Sequence, residues 1–296
     1  MKKTIFLTIA AIVLLACSDH NAPSNPHAKN GALPGEFSVS ENRKVHFAQG
    51  NLQYILDTRT WQFAANQYDV IGVDNFDHIG SSSGAIDAFA WGTGDYPTFH
   101  EAMSAVAYVD WGVNSITNGG NKPNMWRTLT TEEWGYILWD RPNAEVLFGL
   151  GNVAGMNGLI ILPDNWTTPQ GIAFAPSTTN GLPKHSSAYQ KSYYDDSGKD
   201  HFSDNEYTKE TWAKMEKAGA VFLPAAGILM YDVAPNVPYV IWEESGVEGQ
   251  YWSASPRESF EEPEKYACAI DFRKNSLHPY SNNNYRWNHS SVRLVQ

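Results

Sequence analysis

The sequence predicts an α+β domain with two helices, many short strands and much packed loop. Three observations carry that reading. Apolar residues recur at strand spacing in short runs, among them GLIILPDNW, AVFLPAAG, GQYWSAS and YACAIDF. Two stretches switch to helical spacing behind a threonine, at Thr130 and Thr208. The composition, with 11 Trp and only 18% charged residues, suits a compact, loop-rich core.

At the N-terminus, Lys2 and Lys3 precede an apolar stretch, Ile5 to Leu15, broken only by Thr8. It is shorter than the ~20 apolar residues a spanning helix needs, so it reads as a signal-peptide h-region over residues 1–16. Its end, Leu14-Leu15-Ala16-Cys17, resembles the lipobox of bacterial lipoproteins. That resemblance implies lipidation of Cys17 and anchorage in the bacterial cell envelope, outer membrane expected, on its surface or periplasmic face. Acyl chains hold to a bilayer at ~0.8 kcal/mol per buried methylene. Residues 17–34, rich in Pro, Asn, Ser and Gly after the Cys, predict a flexible tether, and 35–296 a single domain. Loss of Lys2 and Lys3 takes the formal charge from −11 to −13. So acidic a surface repels nucleic acid and leaves neutral partners, glycans or protein surfaces.

Within the domain, Val39, Val45, Phe47, Leu52 and Tyr54 fall at strand spacing, with Gly50-Asn51 and Asp57-Thr58 as turn signals. Residues 66–124 read as packed loop around Trp91 and Trp111. In LTTEEWGYILWDR, Thr130 and Glu133 have capping-box spacing, and Trp134, Ile137, Leu138 and Arg141 follow on one helical face. In TKETWAKMEKAGA, Thr208 opens a second helix, Trp212, Met215 and Glu216 share a face, and Gly219 suits the C-terminal end. The closing SVRLV predicts a central strand with Val292 and Leu294 on one face and Arg293 on the other. Cys268 lies in an alternating apolar run and reads as a small buried hydrophobe.

In order, WRTLTTEEWGYIL (126–138), WAKMEKAGAVFLPAAG (212–227), GQYWSAS (249–255), ACAIDF (267–272) and SVRLV (291–295) resemble bacterial C-type-lectin-like domains of the FISUMP, or major paralogous, type. The formylglycine-generating enzyme family and retroelement-diversified variable proteins share that architecture. The resemblance implies a small twisted antiparallel sheet, two flanking helices and long loops that carry the binding surface. An enzyme of the formylglycine-generating type, a calcium-dependent lectin and a purely structural surface protein are the alternatives it raises. The enzyme works through reactive cysteines, and here only Cys268 remains after Cys17. His185, His201, His278 and His289 are scattered, and Asp195-Asp196 reads as a solvated turn. Calcium-binding lectins use Glu-Pro-Asn and Trp-Asn-Asp. Glu262-Pro263-Glu264 and Trp287-Asn288-His289 each miss by one residue, and His removes a hard oxygen ligand. Asp69, Asp74 and Asp77 lack EF-hand spacing. No catalytic residue, metal or cofactor is expected.

The expected function is non-catalytic binding of a glycan or protein. Residues 275–291, held as loops between AIDF and VRLV, are nearly all Asn, Ser, Tyr, His or Trp. Tyr and Trp offer large contact area at low entropy cost, while Asn and Ser adapt their hydrogen bonds. The expected contact residues are Tyr280, Asn282, Asn283, Asn284, Tyr285, Trp287, Asn288 and His289. The clustering of Asn, Ser, Tyr and His is also similar to the variable segment of retroelement-diversified proteins.

Overall fold

The computed structural model describes residues 25–78, 82–95, 97, 107–187, 191–232, 239–243, 245–258 and 262–296. The expected signal peptide and Cys17 lie outside the described residues. No helix among the described residues is long and apolar enough to cross a membrane. The fold is α+β and strand-rich, 37% strand against 17% helix.

The first part carries the strands β1 (Phe37–Ser40), β2 (Arg43–Val45), β3 (Leu52–Ile55) and β4 (Thr60–Phe63), a short helix α1 (Asn75–His78), β5 (Ala85–Ile86) and β6 (Ala88–Ala90). Helix α2 (Thr131–Gly135) follows, then β7 (Phe148–Val153), β8 (Met156–Ile161), β9 (Lys184–Ser186), β10 (Lys191–Tyr194) and β11 (Glu206–Tyr207). Helix α3 (Lys209–Lys217) leads into β12 (Val221–Pro224), β13 (Ile228–Asp232) and β14 (Tyr239–Glu243). The chain closes with β15 (Glu248–Pro256), β16 (Tyr266–Arg273), β17 (Ser276–Tyr285) and β18 (His289–Ser291).

The main sheet runs β14-β13-β18-β15-β16-β17-β10-β9, with β6 also paired to β18. A second sheet runs β11-β7-β8-β12, and β1-β2 and β4-β3-β5 form small ones. One apolar cluster joins α2 to both large sheets through Trp134, Leu150, Leu223, Tyr251, Ile270 and Val295. A second gathers Trp61, Trp91, Trp111, Trp252, Val292 and Leu294, which places both loop tryptophans of 66–124 in the core. A third sets Trp212 and Met215 of α3 against Phe222.

Both helix starts form as expected. Thr130 Oγ1 accepts the Glu133 N–H at 3.3 Å and Glu133 Oε2 accepts the Thr130 N–H at 3.0 Å, a complete capping box. Thr208 caps α3 alone, accepting from Thr211 N, and Gly219 takes φ +100° just beyond it, a left-handed position that favours glycine. The helix expected through Arg141 differs. After Gly135 it widens into a π-turn, Tyr136–Asp140, with Arg141 N–H on Tyr136 O at 2.8 Å. Arg141 is thereby drawn inside, where its guanidinium donates to Asp164 at 3.0 Å and Leu162 O at 2.9 Å.

The expected tether is partly domain. Asn25 and Leu33 are buried, Asn25 N donates to Gln49 Oε1 at 3.2 Å and Leu33 N to Phe47 O at 2.9 Å. Ala32 and Leu33 are buried, and Gln49 N donates to Gly31 O at 2.8 Å, so residues 25–34 dock through apolar burial and backbone bonds together. Gly50-Asn51 is likewise no exposed turn, since Asn51 is fully buried, whereas Asp57-Thr58 does turn between β3 and β4. Asp69 closes a local turn with Asn66 (2.9 Å) and Asp74 is exposed in a short turn, while the side chain of Asp77 lies outside the described residues.

Candidate ligand-binding surface on the C-terminal hairpin

Strands β16 and β17 form an antiparallel hairpin that turns at Lys274-Asn275. Its register sets Tyr266 opposite Tyr285 and Arg273 opposite Ser276, with slips between Ala267 and Ala269 and between Ala269 and Asp271. Each slip puts an extra residue into β17, and bulges of this kind re-aim side chains. The run expected as loops is therefore a ten-residue strand, a tight turn and β18. Alternating Leu277, Pro279 and the cross-strand contacts of β16 outweigh its polar composition, because ladder bonds satisfy the backbone whatever the side chains are.

The far end is anchored inside the protein. His289, Ser290 and Ser291 are buried, and β18 pairs with β6, β13 and β15. Beyond it the chain stays extended and buried, but it departs from the expected regular strand because its partners change at each step. Val292 O accepts from Leu52 N and Leu294 O from Ala48 N, both at 2.9 Å, while Val295 exchanges two bonds with Arg127. The expected alternation holds. Val292 and Leu294 enter an apolar cluster, and Arg293 points into a polar centre of Asn51, Gln67, Ala48 O and Phe222 O.

The eight expected contact residues separate into three groups. Asn282, Asn283 and Tyr285 are exposed. Asn283 Oδ1 accepts from Arg257 at 2.9 Å, and Tyr285 is 38% exposed. Tyr280 and Asn284 are half-buried and committed to the fold. Tyr280 donates to Asp140 at 2.8 Å and packs the hydroxyl end of its ring against Gly135, where any Cβ would collide with it. Asn284 accepts from Gln250 at 2.7 Å and donates to Ser281 at 3.2 Å, and Ser290 in turn donates to Gln250 at 2.6 Å. Trp287, Asn288 and His289 are buried, at 8%, 7% and 7% exposure, and are not on the surface. The turn is closed by Asn288 N on Tyr285 O at 3.0 Å, and burial pushes the His289 imidazole down to about 4.

The aromatic rings at this end stack on one another. Tyr285 is stacked between Tyr266, at 4.7 Å and 27°, and Trp287, at 4.4 Å and 20°. The Arg257 guanidinium covers Tyr266 at 4.7 Å. Both faces of Tyr285 are thus occupied, so what it offers is its edge and hydroxyl beside two exposed amides. Arg257, Tyr266 and Gln250 escaped the sequence reading. Counted back from the Lys274-Asn275 turn without bulges, Tyr266 would fall opposite Asn283. The two slips move it to Tyr285, and no local signal marks them. Arg286 completes the frame, its backbone O accepting from Trp91 N at 2.8 Å and its guanidinium over the Trp91 ring at 4.4 Å.

The remaining candidates take structural positions. Asp195 is more than a solvated turn. The fully buried His201 sets one ring nitrogen 3.1 Å from Asp195 and the other 2.7 Å from Asp204. Asp195 N and His201 N then bond Asn275 O and Lys274 O, clipping this loop to the hairpin turn. Cys268 is buried with a free thiol that burial raises. Glu262 is exposed and held by Lys265, whereas His289 is buried. Among the described residues no group of three or more His, Cys, Asp or Glu could hold a metal ion. A cleft of about 400 Å³ lies elsewhere, lined by Ile172, Phe174, Asn205, Tyr207 and Thr211. Compared with family models, curated proteins and solved structures, the chain finds no match in any of the three.

Proposed function

We propose that this chain is a non-catalytic bacterial surface lipoprotein that binds a glycan or protein through the end of β17, on a C-type-lectin-like scaffold. The observation that carries the reading is the exposure of Asn282, Asn283 and Tyr285 on a strand whose two ends are both held. A recognition surface needs pre-positioned polar and aromatic groups on a rigid support. The Tyr266–Tyr285–Trp287 stack supplies rigidity, and the Arg257–Asn283 bond orients one amide. With the Tyr285 faces covered, contact runs through amides, a phenol edge and hydroxyl, not through a sugar ring laid on the aromatic.

The proposal is tested on the full chain with immobilised glycans and with envelope extracts as probes. Asn282→Ala combined with Asn283→Ala is expected to weaken capture about tenfold or more at unchanged melting temperature. Capture indifferent to both amides would refute the assignment. The anchor has its own test: Cys17→Ser is expected to move the protein from the membrane pellet to the soluble fraction.

A further inference from the structure

We infer that the chain pairs with a second copy of itself along the outer edge of β14. The main sheet ends in β9 on one side and β14 on the other, and among the described residues neither has a strand beyond it. An open edge offers unpaired N–H and C=O groups to any passing strand, so sheets guard it with short strands, charge and lysine. β9 is guarded in that way: three residues, Lys184-His185-Ser186, all exposed. β14 is not. It runs five residues, Tyr239-Val240-Ile241-Trp242-Glu243, paired with β13 along its whole length.

Positions 239 and 241 of a strand belong to one face of its sheet, and positions 240 and 242 to the other. The sequence fills all four with aromatic or β-branched residues, and Glu243 at the end is the one charge in the strand. Residues of this type are the strongest strand formers, and such an edge left open is an association site.

The strand is also self-complementary in register. In a two-fold antiparallel pair centred on Ile241, position 240 falls opposite 242 and position 239 opposite 243. Aromatic and β-branched residues are favourable opposites across strands. The two Glu243 positions fall at opposite ends of the pairing, whereas a parallel pair would set them side by side, unfavourable in a chain of charge −11. A two-fold contact of one patch with itself closes on two copies, so it yields a dimer and not a filament.

Sedimentation and light scattering of the full chain test this, with Val240→Lys and Ile241→Lys as variants and His185→Glu on β9 as a control. The wild type is expected at twice the chain mass. At least one lysine variant is expected to raise the dimer dissociation constant about tenfold or more at unchanged melting temperature, since the two positions belong to opposite faces of the strand. His185→Glu is expected to leave the dimer intact. Ile241→Cys reads the register without adding charge, because opposed Cα atoms in an antiparallel pair lie ~4.5–5.5 Å apart, within disulfide reach. It is expected to cross-link under mild oxidation, with the unsubstituted chain accounting for Cys17 and Cys268. A wild type monomeric at every concentration, a dimer indifferent to both lysines, or no cross-link at position 241 would each overturn the inference.

Discussion

Replacing Arg293 with Met perturbs the centre on which the displayed strand depends. The side chain is 1% exposed, and all five of its N–H donors are used. Nε and Nη2 both reach Asn51 Oδ1, at 3.1 and 2.9 Å; Nη2 also reaches Phe222 O at 3.0 Å. Nη1 reaches Ala48 O at 3.2 Å and Gln67 Oε1 at 3.3 Å. Every partner is neutral, and the nearest acid acts one step removed, Glu216 accepting from Gln67 Nε2 at 2.9 Å. Burial pushes the guanidinium down to about 10, so it is still a cation at neutral pH. Methionine keeps roughly the volume and removes the donors. Gln67 Oε1 retains the Phe222 N–H at 2.7 Å, but Asn51 Oδ1 loses two charged donors. Each buried acceptor left unsatisfied costs ~1–3 kcal/mol, and relief from burying a cation offsets part of the total. The net expectation is a loss of ~3 kcal/mol, a large share of the ~5–15 kcal/mol that holds a domain folded. With a urea slope of ~3 kcal/mol/M, the unfolding midpoint should fall by ~1 M. Tryptophan fluorescence and far-ultraviolet dichroism, followed together, provide the assay. A midpoint within error of the wild type, or above it, would refute the claim that Arg293 knits the C-terminus to the core.

Other outcomes follow from the same site. His289, held neutral with its imidazole at about 4 against an ordinary 6.5, binds no proton between those values while the unfolded chain does. Its contribution to stability is complete above pH 6.5 and is lost as pH falls towards 4, by ~3 kcal/mol. His289→Gln should gain on the wild type by that amount across the window, and parallel stability profiles would count against it. Gly135→Ala should cost ~1–3 kcal/mol by driving a methyl into the Tyr280 ring, and Tyr280→Ala in the same chain should cancel that steric part, measured as a double-mutant cycle. Trp287→Ala should cost ~3–5 kcal/mol because the ring is buried; a melting temperature equal to the wild type would return it to the surface. Thr130→Ala should cost ~1 kcal/mol through the capping box, read by urea denaturation.

The sequence alone determined what depends on near neighbours. The Thr130–Glu133 box, the Thr208 cap with Gly219, the strand that stops before Pro163, the strand YACAIDF, and the alternation of Val292, Arg293 and Leu294 are set by residues within a few positions of each other. Periodicity also showed that the C-terminus is interior, and composition singled out the segment with the exposed amides. Tertiary structure alone decided which of those polar and aromatic residues face out. Asn283 and Asn288 are the same side chain five positions apart, yet one meets Arg257 at the surface and the other is buried in the turn before β18. The two bulges in β17, the Gly135 surface that receives Tyr280 and the docking of residues 25–34 all arise between segments distant in the chain. Burial is a property of what packs on a residue from elsewhere, and no local pattern encodes that partner.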